Sequence, residues 1–335
     1  MASVNTQSLL GLQQYISQLL LSSVSVGTRD QYFGCFSKYQ QFTQYHHLQM
    51  LPLSEDNLML FASYVSTYSS HKNVSLHLAA IKFFALIYGY PSIFNSSPRL
   101  ARLLKGIKRV HGRRYRKTKR TPITPSLLKQ LGINLFHSPM KYNDKVMLWA
   151  AMLAAFFGFM RISEYTSDYV KSYDPNFDLC WEDVSTSPSG AYFNLKSSKT
   201  DPFREGVTIR LAPNATQLCP VAALSEYIRV HPSKSGPFFQ FSDKRFLTRK
   251  GLMRVLNIIK PLGVSNMSTH SFRIGAATTA AAAGYPKWAI QALGRWSSDC
   301  YRIYIRTPEA TFKSLSQALA SMSLEITTPF DPDNI

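Results

Sequence analysis

The chain has 335 residues, of which 45% are hydrophobic and 13% aromatic, and a formal net charge of +19. The length favours one large or two medium domains, and the composition excludes a globally disordered chain. Four scattered cysteines without paired spacing argue against a zinc site or a disulfide framework. The longest apolar run, residues 146–160, is too short to span a bilayer, and the N-terminus lacks a signal-peptide pattern. We therefore expect a soluble, intracellular chain with no membrane contact.

The positive charge is concentrated in one long segment. From residue 57 to residue 143 there are fifteen Lys and Arg and no Asp or Glu. Such a tract has no acidic partners of its own, so its counterions must come from outside, and phosphate backbones fit best. A solvated linker or a nuclear localisation signal is the alternative. The residues expected to contact nucleic acid are Arg99, Arg102, Lys105, Lys108, Arg109, Arg113, Arg114, Arg116, Lys117, Lys119 and Arg120.

Residues from about 7 to 110 have the pattern of a helical bundle. Thr28 is expected to cap one helix, and Ser54, followed by two acids, is expected to cap the next. Two more helices are predicted near residues 75–90 and 98–112. Charge and two prolines then mark a linker at 115–123, between a domain of residues 1–114 and one of residues 124–335.

The second domain is predicted to begin with a helix from Thr124. A strongly apolar helix follows, which we expect to run to about Tyr165. Two strands at 191–201 and 206–213 flank a turn, a helix covers 219–231, and the last 75 residues are again helical, ending in a helix at 307–322. The predicted fold is mainly α with a small antiparallel β-sheet, in two domains.

Two positions in this domain carry charges that could act on a substrate. Arg161 ends the apolar helix with Glu164 three residues on, and a buried guanidinium needs a carboxylate or a phosphate. Lys199 stands at the predicted hairpin tip, where a long side chain can reach a substrate. The structural alternatives are a helix-end ion pair and an exposed turn lysine.

A third position combines a histidine with an arginine. His270 and Arg273 are expected near the start of a helix capped by Ser268 or Thr269. A helix N-terminus concentrates backbone N–H groups and a positive dipole, which favours an anion. The pair is therefore a phosphate-binding candidate, with a purely structural histidine as the alternative.

The stretch LGRWSSDCYRIYIR adds an arginine, a tryptophan and two tyrosines. The chain has no nucleotide-binding glycine loop, no cluster of acidic metal ligands and no serine-nucleophile motif. The remaining residues suit phosphoryl transfer without a metal or other cofactor. Arginines can neutralise the nonbridging oxygens, a tyrosine can attack phosphorus, and Lys or His can move protons.

Five motifs follow one another in a fixed order: Arg161-x-x-Glu164, Lys199 in SKT, His270-x-x-Arg273, LGRW, and Tyr304 in YIR. This series resembles the tyrosine recombinase/integrase family, and it looks closest to recombinases of eukaryotic mobile elements of the Crypton and DIRS-like kinds. The resemblance covers roughly residues 124–322. It implies a clamp around the duplex, in which a helical, SAM-like core-binding domain is joined by a basic linker to a mixed α/β catalytic domain.

The resemblance also implies roles for the residues of these motifs. Tyr304 would form a 3′-phosphotyrosyl link, and Arg161 and Arg273 would hold the scissile phosphate. His270 would move the tyrosine proton, and Lys199 would protonate the 5′-oxygen leaving group. Glu164 would orient the site.

Two assignments in the last motif stay open. The family usually has His or Trp about nine residues before the nucleophile; nine residues before Tyr304 is Arg295, and eight is Trp296. We favour Trp296, which has an indole N–H and a packing surface. Tyr301 is an alternative nucleophile, and the YIR context favours Tyr304.

The implied function is a site-specific recombinase or transposase that integrates or excises a mobile element without metal or ATP, acting in the nucleus. Double-stranded DNA is the expected partner, with single-stranded or circular element DNA as an alternative. Copies of the chain are expected to form dimers or tetramers through the C-terminal helix. A type IB topoisomerase and a domesticated, non-catalytic DNA-binding protein are the competing interpretations.

Overall fold

The computed structural model describes residues 8–91, 93–112, 118–196, 198, 201, 205–231, 234–305, 316–317 and 321. These residues form mainly α-helices with one small antiparallel sheet, which confirms the predicted fold class. The chain divides into two compact units, Met1–Thr118 and Lys119–Ile335. The predicted linker at 115–123 is described from residue 118 onward, where it has neither helix nor strand, whereas the predicted C-terminal helix at 307–322 lies largely outside the described ranges. Both stay predictions. No helix within those ranges has the length and apolar character needed to cross a membrane.

The first unit is helical throughout its described part. Its helices are α1 (Leu9–Ser22), α2 (Val26–Tyr45), α3 (Glu55–Tyr68), α4 (His71–Ile87) and α5 (Pro98–His111). Ser54 caps α3 as predicted, because its side chain accepts a hydrogen bond from the N–H of Asn57. The predicted cap at Thr28 is wrong. Ser25 is the cap of α2, and the N–H of Thr28 donates to its side chain.

Aromatic side chains from α2, α3 and α4 form the core of this unit. Phe36 packs against Phe84 with ring centroids 4.7 Å apart, and Tyr39 lies 5.1 Å from Phe61. All four are buried. Burying a side chain of this size contributes about 1.5–3 kcal/mol each, so these aromatics stabilise the helical bundle.

The second unit combines helices with a three-stranded sheet. Its elements are α6 (Pro125–His137), α7 (Tyr142–Phe157), β1 (Val184–Ser187), β2 (Gly190–Leu195), β3 (Val207–Leu211), α8 (Pro220–Val230), α9 (Arg249–Ile259), α10 (Ser271–Ala282) and α11 (Lys287–Leu293). The sheet order is β1-β2-β3, with both pairs antiparallel. The predicted pair of strands corresponds to β2 and β3. Strand β1 was not predicted.

Helix α7 is the centre of the second unit. Every residue from 146 to 156 except Trp149 is buried, and the helix packs against α6, α8 and α10. It ends at Phe157, not near Tyr165 as expected. The N–H of Gly158 still bonds to Ala154 O, but Phe159 has a φ of 47°, which is incompatible with a continuing right-handed helix. The next residues are therefore free to form a separate turn.

An extended segment before α6 crosses α10 in close contact. The N–H of Ile123 donates to Ser271 O at 3.0 Å, and the N–H of Thr121 donates to Asn266 O at 3.2 Å. A Cβ atom added at Gly275 would lie 1.8 Å from Ile123 O. Only glycine allows the two backbones to approach this closely. The crossing fixes the helix that carries His270 and Arg273.

We expect Gly275→Val to lower the free energy of unfolding of the second unit by about 3 kcal/mol, because the added carbons collide with backbone that cannot move freely. Urea denaturation followed by fluorescence measures the change. The matched control is Gly34→Ala in α2, where nothing lies within 4 Å of the added carbon. That variant should gain up to about 1 kcal/mol from lower chain entropy in the unfolded state. Equal stability of Gly275→Val and the wild type would contradict the close crossing.

Candidate active site

The segment after α7 forms a short turn that joins Arg161 to Glu164. Arg161 precedes a 3₁₀ turn, Ile162–Glu164, and its backbone N–H donates to Glu164 Oε2 at 2.8 Å. Its side chain donates from Nη1 to Oε1, also at 2.8 Å. The Glu164 side chain is only 1% exposed. The predicted pair is present, but on a turn rather than on one helical face.

The same carboxylate receives a second guanidinium. Arg295 donates from Nη2 to Glu164 Oε2 at 2.6 Å and from Nη1 to Gly158 O at 3.0 Å. The Arg295 side chain is largely but not fully buried, with 14% of its surface exposed. Burial lowers the pKa of Arg295, and the carboxylate of Glu164 opposes that shift. One buried acid thus pairs with two arginines.

Arg273 reaches the site without a carboxylate partner among the described residues. It lies in the first turn of α10, and its guanidinium donates to the carbonyl oxygens of Phe159 and Gly294. Its Cζ lies 4.4 Å from the centroid of the Trp296 ring, a cation–π geometry. Burial, then the charges of Arg161 and Arg295, lower the pKa of Arg273 to about 9. The group is still protonated at pH 7.

His270 is itself the cap residue of α10. It has right-handed helical backbone angles and no side-chain capping bond, so the prediction that Ser268 or Thr269 caps the helix is wrong. The N–H of Ser268 donates instead to Ser271 Oγ at 3.0 Å. Burial is the main cause that lowers the pKa of His270 to about 4, and Arg120, Arg273, Arg161 and Arg249 add to it. The imidazole is therefore neutral at pH 7.

The Tyr304 ring lies between two of these groups. It is 5.0 Å from the ring of His270 and 5.2 Å from the ring of Trp296, with which it is stacked at 29°. Thr278 Oγ1 donates to Tyr304 O at 3.1 Å. A Cβ atom at Gly294 would lie 1.7 Å from the Trp296 ring, so glycine is required there. Trp296 is thus the aromatic neighbour of the candidate nucleophile.

The two tyrosines that the sequence left open have different surroundings. Tyr301 is 2% exposed and belongs to the hydrophobic core, at 6.3 Å from the Trp296 ring. Tyr304 is only partly buried and follows a 3₁₀ helix, Asp299–Ile303. A buried phenol cannot approach a phosphate in DNA without unpacking. The geometry therefore favours Tyr304 as the reacting residue.

Several predicted residues lie outside the described ranges: Lys199, Arg113, Arg114, Arg116 and Lys117. Arg102, Lys105, Lys108 and Arg109 are exposed on α5, and Lys119 and Arg120 are exposed before α6. Arg99 corrects one expectation, because its guanidinium pairs with Asp56 at 2.9 Å and lies 3.9 Å from Glu55. The basic tract therefore does have an acidic partner, at the start of α3.

Helix α9 has a basic face that was not predicted from the sequence. Arg249, Lys250 and Arg254 line an open groove together with Met253 and Asn257. Arg249 is close enough to lower the pKa of His270. The signal was present in the run TRKGLMRVLNIIK, where basic residues recur at helical spacing opposite apolar ones.

Only one group of potential metal ligands occurs among the described residues: Cys180, Glu182 and Asp183. The ammonium group of Lys196 lies 2.8 Å from Asp183 Oδ2 and 3.6 Å from Glu182 Oε1. A cationic side chain is thus already bound to these two acids. The cluster is best described as a partly exposed ion pair beside the sheet, in which only Asp183 of the three charged residues is buried.

No protein-family model and no curated protein matches the sequence. Among solved structures, the chain is similar to the XerH site-specific recombinase bound to palindromic difH substrate in a post-cleavage complex. The TM-score is 0.57 and the identity 14%, over 88% of this chain and 78% of that chain. A lambda integrase (residues 75–356) dimer bound to a COC' core site gives a TM-score of 0.57 at 14% identity, over 88% and 94% of the two chains.

The Tn1549 transposon integrase in complex with circular intermediate DNA is also similar, with a TM-score of 0.50 at 12% identity over 80% and 86% of the two chains. The chain has the tyrosine recombinase fold. At these identities the similarity concerns the fold alone. A specific closeness to Crypton or DIRS-like recombinases stays a prediction.

The ionisation of His270 gives a direct test of this geometry. Because its folded pKa is about 4, below the unfolded value of 6.5, the unfolded chain binds the proton more readily. The stability due to neutral His270 is therefore complete above about pH 6.5 and is lost as the pH falls towards 4.

NMR of the histidine ring protons should show a His270 midpoint near 4, assigned with His270→Gln. Arg249→Gln should raise the midpoint, and Arg302→Gln should not. A midpoint near 6.5 in the wild type would be inconsistent with the buried, cation-rich site.

Proposed function

We propose that the protein is a site-specific DNA recombinase that cuts and rejoins strands through a covalent bond between Tyr304 and a 3′-phosphate. The observation that carries the proposal is the convergence of distant positions on one partly exposed tyrosine. His270 and Trp296 contact its ring, and Arg273 stacks on Trp296. Arg161 is near enough to influence the pKa values of both His270 and Arg273.

The charges of this cluster support an anionic substrate. Arg161, Arg273 and Arg295 carry three positive charges, Glu164 carries one negative charge, and His270 is neutral. Partly buried positive charge without a counterion is unfavourable, and a phosphodiester supplies the missing negative charge. The cluster therefore suits a DNA phosphate better than a neutral ligand.

The chemistry follows from these residues. The Tyr304 oxygen attacks phosphorus while its proton passes to neutral His270, and Arg161 and Arg273 neutralise the nonbridging oxygens. The 5′-oxygen leaves and takes a proton, for which we propose Lys199 as the donor. In the reverse step a 5′-hydroxyl attacks the phosphotyrosine, and Tyr304 regains its proton. The bond energy is conserved in the intermediate, so rejoining needs no ATP.

We extend the proposal to the biological setting. Integration or excision of a mobile element fits the resemblance of the motifs, and nuclear location fits the basic tract at residues 99–120. Assembly into dimers or tetramers on double-stranded DNA would use the C-terminal helix. The similar structures support the DNA-bound state: one is a recombinase with its DNA site, and two are integrases with core-site or circular intermediate DNA.

We expect wild-type protein to form a covalent adduct with a nicked suicide duplex, in EDTA, on a sequence selected for binding to this protein. Tyr304→Phe should form none, because phenylalanine has no nucleophilic oxygen, whereas Tyr301→Phe should retain the adduct. Denaturing gels measure the adduct, and gel shifts confirm that all three proteins bind the DNA. Wild type that binds well but forms no adduct would rule out a recombinase or a topoisomerase. If Tyr304→Phe still formed the adduct, a residue other than Tyr304 would be the nucleophile.

The basic tract gives a second test through the salt dependence of binding. Replacing Arg113, Arg114 and Arg116 by glutamine should reduce the slope of log K against log salt by about 0.9 for each phosphate that is no longer neutralised. The control is Arg229→Gln, whose side chain is exposed and paired with Glu226 at 2.6 Å in α8. An unchanged slope in the triple variant would identify the tract as a linker that does not bind phosphates.

A further inference from the structure

Arg295 occupies a helix-end position in the chain. It follows Gly294 at the end of α11, and its φ of 53° lies in the left-handed region. This conformation is common in the residue that follows a helix end, and here the N–H of Arg295 donates to Ala292 O at 2.9 Å and that of Trp296 to Gln291 O at 3.0 Å. Here the guanidinium is fixed by Glu164 and by the carbonyl oxygen of Gly158. The backbone conformation thus serves to direct this side chain into the site.

The two oxygens of Glu164 are divided between two arginines. Oε1 accepts from Arg161 Nη1, and Oε2 accepts from Arg295 Nη2 and from the backbone N–H of Arg161. A carboxylate and a guanidinium can form two parallel hydrogen bonds when nothing else competes. Arg295 occupies the oxygen that a bidentate pair would need. Among the described residues, Arg161 is therefore held by one side-chain hydrogen bond.

This division has an electrostatic consequence. If Glu164 paired with Arg161 alone, the two charges would cancel, and little positive charge would remain for a phosphate. With Arg295 on the same carboxylate, the group of three carries a net positive charge in a buried place. The orientation of Arg161 and the net charge around it then depend on Arg295, across 134 positions of sequence.

We propose that Arg295 is a positioning residue that keeps Arg161 oriented towards the scissile phosphate by sharing the Glu164 carboxylate, so that the group of three has a net positive charge. The inference rests on the proposed recombinase function and assigns separate roles to the last two residues of LGRW. Trp296 packs on Tyr304 and Arg273, whereas Arg295 acts on Arg161. Arg295 is placed to act through another residue, not on the phosphate itself.

The first measurement is single-turnover cleavage of the nicked duplex. Arg295→Met should lower the rate about 100-fold, the scale of a catalytic group that is misplaced by about 1 Å. Arg295→Lys, which keeps a charge near Glu164, should recover part of that loss. The dissociation constant for DNA should change little, because the guanidinium of Arg295 is already bound by Glu164 and Gly158 O. The matched control, Arg302→Met, removes an exposed arginine paired with Asp299 in the neighbouring turn and should cleave at the wild-type rate.

The second measurement separates positioning from a structural role. In a methylphosphonate duplex, one nonbridging oxygen of the scissile phosphate is replaced by a neutral methyl group, and the two stereoisomers can be separated. One isomer lacks the nonbridging oxygen that Arg161 would neutralise, and this isomer should restore cleavage by Arg161→Ala. The same isomer should restore cleavage by Arg295→Met. A defect in folding would be restored by neither isomer. Should Arg295→Met fail to fold, Arg295→Lys carries the same comparison.

The outcomes are distinct. Restoration of Arg295→Met by the isomer that restores Arg161→Ala supports the proposal. Three results would overturn it: full-rate cleavage of ordinary DNA by Arg295→Met, restoration by neither isomer, or restoration by the isomer that restores Arg273→Ala. A wild type that forms no adduct on ordinary DNA contradicts the recombinase function itself, which the other results leave intact.

Discussion

The candidate site depends on one buried carboxylate. Glu164 is nearly inaccessible to water, and two guanidinium groups and a backbone N–H donate hydrogen bonds to its two oxygens. Removing one partner of such a group typically costs about 3–5 kcal/mol, since a charge is then left buried without compensation. Arg161 and Arg295 are thus tied to the packing of the second unit. The most polar part of this unit is also one of its most constrained.

The end of α7 makes this arrangement possible. Gly158 and Phe159 terminate the helix, and their carbonyl oxygens no longer have helical partners. Arg295 uses the oxygen of Gly158, and Arg273 uses that of Phe159. The carbonyl groups that a helix end leaves unsatisfied therefore help to hold two arginines, and the following turn orients a third. The backbone at the end of α7 and in the turn after it thus positions the three arginines of the candidate site.

Local patterns predicted much of this. The apolar run identified α7, and the three-residue spacings brought out Arg161 with Glu164 and His270 with Arg273. Local patterns could not predict where α7 ends, because that depends on the backbone at Phe159. They also did not predict that Ser25, and not Thr28, caps α2. Strand β1 was missed because its short sequence, VSTS, has little apolar character.

The contact between Arg295 and Glu164 could not be predicted from the sequence for a different reason. Its partner lies 131 residues away, and no spacing rule relates the two. The sequence offered Arg295 and Trp296 as alternatives for one position. The structure gives them different neighbours, Glu164 for Arg295 and Tyr304 for Trp296, and which of the two fills that position stays a prediction. Arg249 was missed in the same way, since its effect on His270 arises only when α9 and α10 come together.

The hydrogen bond from Thr278 to the backbone of Tyr304 bears on which copy of the chain would supply the tyrosine for a given DNA phosphate. It holds the tyrosine against the helix that also carries Arg273, so the described components of the site belong to a single polypeptide. Under the proposed function, a protomer in this arrangement would supply its own nucleophile to the phosphate that it binds. In a multi-protomer complex, each DNA strand would then be cut by the subunit that binds it, and damage to one subunit would silence that subunit alone.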